Sequence, residues 1–209
     1  SNYTCPSCGQ KYGITDAIQE QDGFDVRLCA FEYYCSECDT NGEAKNDYKA
    51  YAGVEDADKE LYEKAKREWE ESDELHEYVP DEEIRKGHLT AKRNDVFAHG
   101  YARWTDMFNE RQLLCFSKLL RSIGEIDDSN VREYLLLALS ETLKRNNMMI
   151  GYNYVHNGSV NLFKSNSFDP PQRPAEGNVW GLKHGAGVFY NQVEKMISGV
   201  EWAHAPTER

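Results

Sequence analysis

Two Cys-x-x-C pairs near the start constrain this chain more than any other feature. Cys5-Pro6-Ser7-Cys8 is the first and Cys35-Ser36-Glu37-Cys38 the second, with 26 residues between them. Two residues between paired cysteines let a tight turn bring both thiolates onto one ion, and zinc takes four such ligands at tetrahedral corners. Gly9, directly after the first pair, supplies the backbone freedom such a turn needs. The spacer is a little longer than the ~15–20 residues of the usual tandem pattern, and a hairpin fills it. Cys5, Cys8, Cys35 and Cys38 are the expected ligands of a structural zinc. Four protein thiolates leave no position open to water, so the metal would organise the chain rather than catalyse. A redox dithiol is the rival, and two pairs without a βαβ frame argue against it.

Cys29 and Cys115 read as small buried apolar residues. A secreted disulfide framework would spread its cysteines, whereas only Cys115 lies beyond residue 38. That pattern points to metal in a reducing compartment, hence the cytoplasm. No apolar run approaches the ~20 residues needed to cross a bilayer, and no signal peptide is visible, so no membrane partner is expected. Ser1-Asn2 in place of an initial methionine reads as the edge of a piece cut from a longer protein. Hydrophobic residues make up 40% and aromatics 12%, enough to build a core and to exclude wholesale disorder.

The formal charge is −12, but it is unevenly placed. Residues 55–83 carry 14 acids and 4 bases, whereas residues 84–209 carry 13 acids and 16 bases. An acidic total argues against nucleic acid as a partner. Here the acid is concentrated in one short segment and the longest segment is mildly basic, so charge alone does not decide the question.

Periodicity gives the expected organisation: a zinc-ribbon module with a flanking loop over 1–53, an acidic linking helix over 54–84, and a helical domain over 85–209. Asp22-Gly23 between two β-prone stretches, Tyr12 to Ile18 and Phe24 to Tyr34, predicts a hairpin between the cysteine pairs. Ala57, Leu61, Ala65 and Trp69 mark one thin stripe on a helix over 54–77. Pro80 ends it, and Asp81-Glu82-Glu83 suits the first turn of another short helix. Asn109 and Gln112 form a capping box for a helix over 109–124, closed by Gly124. Ser129 caps a second over 129–147, with Val131, Tyr134, Leu135, Ala138, Leu139 and Leu143 inward. Residues 150–185 read as irregular, with one strand at Val160 to Phe163. A last helix covers 187–199, with Val188, Val193, Met196 and Ile197 inward. The fold class is α+β: a mainly helical domain behind a small N-terminal zinc-ribbon β module.

Phe168-Asp169-Pro170-Pro171-Gln172 is close to the D-P-P-Y motif of DNA amino-methyltransferases. There the acid and a backbone carbonyl accept from the target amine and the aromatic stacks on the flipped base. Gln172 cannot stack in that way, and the one nearby glycine loop for a cofactor, Gly185-Ala186-Gly187, follows Trp180-Gly181-Leu182-Lys183-His184, which does not read as a buried strand. The stretch reads as an ordered proline loop. No Ser-His-Asp set and no paired histidines with metal spacing are present.

Gly100-Tyr101-Ala102-Arg103-Trp104-Thr105-Asp106-Met107-Phe108-Asn109-Glu110-Arg111-Gln112-Leu113-Leu114 resembles a segment of large prokaryotic DNA methyltransferases, the adenine-specific methylases containing a zinc ribbon. In that family a W-x-x-[LM]-F-[TN]-x-R-Q-L block follows the ribbon. The helix type Tyr134-Leu135-Leu136-Leu137-Ala138-Leu139, then Arg145-Asn146, the stretch Phe168 to Gly181 and Gly187-Val188-Phe189-Tyr190-Asn191 are also similar. The likeness covers roughly residues 90–200, with the cysteine pairs upstream in the expected order. It implies a parent enzyme of restriction-modification or related defence that moves a methyl group from S-adenosylmethionine to an exocyclic base amine. The family's cofactor loop and D-P-P-Y would lie outside this chain, which implies that the chain does not methylate by itself.

Two readings follow. In the first, the chain is a target-recognition segment that meets DNA through Lys92, Arg93, Arg103, Trp104, Arg111, Arg145, Asn178 and Trp180, since cations meet phosphate and aromatics stack on bases. In the second, it is a structural or protein-interaction insert that packs on the catalytic methyltransferase domain of the same polypeptide. The bland alternative for the bases and tryptophans is solvated helix faces and core.

Overall fold

The structure is a computed structural model that describes residues 2–20, 26–41, 49–87, 96–155, 158–162, 170–171, 173–181, 185 and 187–206. It is α+β: helices dominate, and three small two-stranded antiparallel hairpins accompany them among the described residues.

At the front, β1 (Asn2–Thr4) pairs with β2 (Lys11–Gly13), Tyr3 opposite Tyr12, and the first Cys-x-x-C turn connects them. The helix α1 (Ile14–Glu20) follows at once. Then β3 (Ala30–Tyr34) leads into the second Cys-x-x-C turn and the short helix α2 (Ser36–Asn41). The chain returns as β4 (Lys49–Gly53), with Glu32 opposite Tyr51. This corrects the expected hairpin between the cysteine pairs. Residues 14–18 are helix, and each strand before a cysteine pair folds onto the strand after it. The Asp22-Gly23 turn lies outside the described residues. Ile14, Ala17 and Ile18 recur at helical spacing, and a cysteine turn that reverses the chain makes its own flanks pairing partners.

The acidic segment holds two helices, α3 (Asp56–Glu70) and α4 (Asp73–His76), rather than one. The break falls at Glu71-Ser72, where the Ser72 amide donates to the Trp69 carbonyl and the Leu75 amide donates to that of Ser72. Asp81-Glu82-Glu83 does not open a helix; Glu83 bridges Arg103, and the Ile84 amide donates to the Ala102 carbonyl at 2.8 Å. The stripe is also rotated from its expected place. Ala57 and Leu61 are exposed, Leu61 at 64%, while Tyr62, Ala65, Lys66 and Trp69 are half-buried.

The body is built on α5 (Glu110–Gly124), α6 (Ser129–Leu143) and α7 (Phe189–His204). The capping box of α5 forms as its sequence implies: the Gln112 amide donates to Asn109 Oδ1 at 2.9 Å and the Asn109 amide to Gln112 Oε1 at 3.1 Å. Gly124 is the last helical residue, but the cap, Glu125, stays right-handed, so no glycine stop is used. Asp128 rather than Ser129 caps α6, accepting from the amides of Asn130 and Val131. That helix stops at Leu143 instead of 147, and Val131 and Tyr134 face solvent while Ala138, Leu139 and Thr142 are buried. Apolar residues run round most of α6, so its sequence alone did not select a face. In α7, Ile197 is exposed and Gln192 is buried in its stead. The expected strand at 160–163 is displaced: β5 (Tyr152–Asn153) pairs with β6 (Gly158–Ser159), and Phe163 lies outside the described residues.

Among the described residues, two apolar clusters form the core. Phe116, Leu119, Ile123, Leu139 and Val179 make one; Ile84, Val96, Tyr101, Met107 and Met149 make the other. Phe108 packs against both, meeting Phe116 edge-on with ring centroids 5.8 Å apart. Helix α3 packs along α5, and α6 against α7. No described helix is long and apolar enough to cross a membrane.

Candidate functional site

The two cysteine turns are locally organised. In the first, the Gly9 amide donates to the Cys5 carbonyl at 2.9 Å, and the Cys5 amide to that of Gln10 at 2.8 Å. Gly9 sits at φ +72°, in the left-handed region that a side chain would strain. The backbone N–H of Cys8, then that of Ser7, holds the Cys5 thiol below its ordinary pKa. In the second turn the Cys38 amide donates to Cys35 Sγ at 3.4 Å and the Asp39 amide to the Cys35 carbonyl at 3.0 Å. Hydrogen bonds from Cys38 lower the Cys35 thiol in the same way. Beside it the Tyr34 hydroxyl donates to Asp39 Oδ2 at 2.7 Å.

N–H groups aimed at a sulfur stabilise its thiolate, which is the form that binds metal. Each pair therefore has a thiol held toward its ionised form by neighbouring N–H groups. Among the described residues, no group of three or more Cys, His, Asp or Glu side chains is placed to share one ion. Of the two remaining cysteines, Cys29 departs from the buried apolar expectation, whereas Cys115, partly buried against the Phe116 cluster, largely keeps to it. Cys29 is exposed, its thiol donating to the Arg27 carbonyl at 3.3 Å. Cys115 is half-buried, and burial pushes its thiol up against an opposing hydrogen bond from Trp180.

The basic and aromatic candidates do not share one environment. Lys92 and Arg93 lie outside the described residues. Arg103 and Trp104 are exposed at the start of a short 3-10 turn, Trp104–Met107. Trp180 is 48% exposed. Asn178 Oδ1 accepts from the Gly181 amide at 3.1 Å, which tightens the turn that carries Trp180. Arg145 is half-buried, one guanidinium N–H reaching the Ser159 carbonyl at 3.4 Å. Arg111 grips Glu176 with both arms of its fork, at 2.7 and 2.8 Å, and lies 5.0 Å from the centre of the Tyr62 ring. Glu176 accordingly raises its pKa further. A bidentate Arg–carboxylate pair is among the stronger polar contacts. Arg111 thus pins the 173–181 segment and α3 to α5.

Sequence reasoning missed the acceptors that define these placements. Glu176 was not singled out, nor was Glu110, which accepts from the Tyr62 hydroxyl at 2.8 Å and pairs with Lys66 at 3.4 Å. It also missed a buried polar knot at the end of α6. Asn146 is fully buried and donates to the carbonyls of Thr142 and Gly187. A Cβ at position 177 would collide with its Oδ1, so Gly177 is required there. The only sequence signal was the Asn146-Asn147 doublet after an apolar helix, polar where a core was due. The expected proline loop is described only at Pro170 and Pro171; Asp169 and Gln172 lie outside.

Compared with known proteins, the chain matches no protein family, no curated protein and no solved structure.

Proposed function

We propose that this chain is a zinc-carrying DNA-recognition segment of a larger S-adenosylmethionine-dependent DNA amino-methyltransferase. Cys5, Cys8, Cys35 and Cys38 would hold the metal, which would tie the two front hairpins together. The observation that carries the zinc reading is the poverty of the front core. Between residues 2 and 53 Ile18 is the one buried apolar side chain described, yet two hairpins each present a preformed cysteine turn. Two-stranded hairpins are marginal in water, and a metal is the usual staple for a module too small to bury a core. DNA contact would fall to Arg103, Trp104 and Trp180, exposed cation and indoles of the kind that meet phosphate and bases. S-adenosylmethionine belongs in this reading to the parent's catalytic domain.

A second reading has its own observation. The bases of α5 are matched by the chain's own carboxylates, which suits an insert that packs on protein rather than DNA. One experiment separates the two: anisotropy of a labelled DNA duplex titrated with the chain across a salt series. Binding that weakens steeply with salt, and that Arg103→Gln with Trp104→Ala reduces, supports recognition. No binding at low salt supports the insert.

A further inference from the structure

Helix α5 carries a basic face that the chain itself covers. Lys118 and Arg121 stand three residues apart, neighbours on one side of the helix. Lys118 pairs with Glu68 of α3, and Arg121 Nη1 lies 3.3 Å from Glu74 of α4. The covering element is built unlike the core. Helix α3 has no fully buried residue, and α4 has only Leu75. The carboxylates are open to water, Glu68 at 44% and Glu74 at 70%, while Lys118 and Arg121 remain about one-third exposed at 32% and 36%. An open depression of about 450 Å³ between strap and helix is lined by Glu68, Glu71, Asp73, Glu74, Lys118 and Arg121.

A carboxylate on a lysine or guanidinium meets the same donors as a phosphate oxygen. The strap also brings Glu71 and Asp73, so a polyanion approaching this face is repelled as well as forestalled. Exposed ion pairs are weak and screened by salt, so they are contacts that a denser anion can replace. We propose that Lys118 and Arg121 are a phosphate-binding pair for nucleic acid, masked by the α3–α4 strap until Glu68 and Glu74 are displaced. This rests on the DNA-recognition reading above and adds its regulation.

The test is duplex-DNA anisotropy on four full-length proteins: wild type, Glu68→Gln/Glu74→Gln, Lys118→Gln/Arg121→Gln, and the four combined. Neutralising the strap should tighten binding about fivefold and steepen the log K against log salt slope by roughly 1.8, the release expected for two phosphate contacts. Lys118→Gln/Arg121→Gln should leave wild-type binding unchanged and erase that gain in the combined protein. A Glu60→Gln/Glu63→Gln control changes the charge equally on the exposed side of α3 and should give less than twofold. Wild-type DNA binding that Lys118→Gln/Arg121→Gln weakens, or that strap neutralisation leaves unchanged, overturns the mask while sparing the recognition reading. No binding by any of the proteins at low salt overturns the recognition reading itself.

Discussion

The front of the molecule and its helical body solve the folding problem by different means. Among its described residues the body has two apolar clusters joined through Phe108, and Asn109, Gln112 and Asn146 make cap and turn hydrogen bonds inside it, although Gln112 Nε2 and Asn146 Oδ1 are buried without a partner. The front has strands whose residues are mostly exposed, β3 along its whole length, and two cysteine turns. Burial of apolar surface stabilises by about 25 cal/mol per Å², and the front offers little surface to bury. The difference teaches where each region's stability must come from: packing in one, and in the proposed reading a metal in the other.

Breaking the front should therefore need only one sulfur. Cys38→Ser is expected to abolish stoichiometric zinc and to remove protection from amide exchange over 30–53. Structural zinc supplies on the order of 10–16 kcal/mol of apparent binding energy in small modules, the largest effect anticipated here. Exchange over α5 and α6 should be unaltered, read by mass spectrometry beside metal analysis. Uniform loss in both regions, with zinc retained, would sink the proposed division.

Breaking the body should need a cavity. Phe116→Ala deletes the ring that meets Phe108 and Leu139's cluster, and should cost about 3–5 kcal/mol in a denaturant titration. Zinc content should stay at the wild-type level if the regions are independent.

The body was legible in the sequence to the extent that side chains dictate backbone locally. Asn109 and Gln112 stand at capping spacing and form their box. The face of α6 was not legible, because the exposed Val131, Leu136 and Leu137 are aliphatic like the buried Leu139, and only the tertiary partner decides. The front hairpins were misread for a related reason. Residues 12–18 suit either strand or helix, and the partner of β3 lies beyond the second cysteine pair rather than before it. Among the candidate contacts, Arg111 shows the limit: a basic residue on a helix is defined by its acceptor, and Glu176 is 65 residues away.

A gentler probe is pH. Burial opposes ionisation of Glu110, but its own backbone N–H at the start of α5, the Tyr62 hydroxyl and Lys66 outweigh it and hold the carboxyl below its ordinary value. A carboxylate with a depressed folded pKa stabilises above its unfolded value of about 4.3. That contribution is lost as pH falls through the lower folded value. Acidification below about pH 4 should thus loosen α3 from α5, and Tyr62→Phe should flatten this acid limb in thermal melts. An unchanged limb would remove Glu110 from the α3–α5 contact.

The smallest expected effect falls on the seam between the two regions. Tyr152 of β5 donates its hydroxyl to Glu32 Oε2 at 2.6 Å and meets the Tyr51 hydroxyl at 2.8 Å, so one body residue holds both strands of the second front hairpin. Glu32 is also paired with Lys49 at 2.9 Å. Tyr152→Phe leaves that ion pair and the ring contact with Tyr154, 5.2 Å between centroids, in place. Loss of one hydroxyl to a partly solvated carboxylate should cost about 1 kcal/mol. Faster exchange is then expected over 30–34 and 49–53, without change in α1, which has its own contact with the turn Phe97–His99. If α1 loosens together with the hairpin, the front moves as one unit and its two halves are coupled, as a shared zinc would require. If only the hairpin loosens, the two cysteine turns behave as separate bodies when metal is absent, and repeating the measurement with zinc added shows whether the ion joins them.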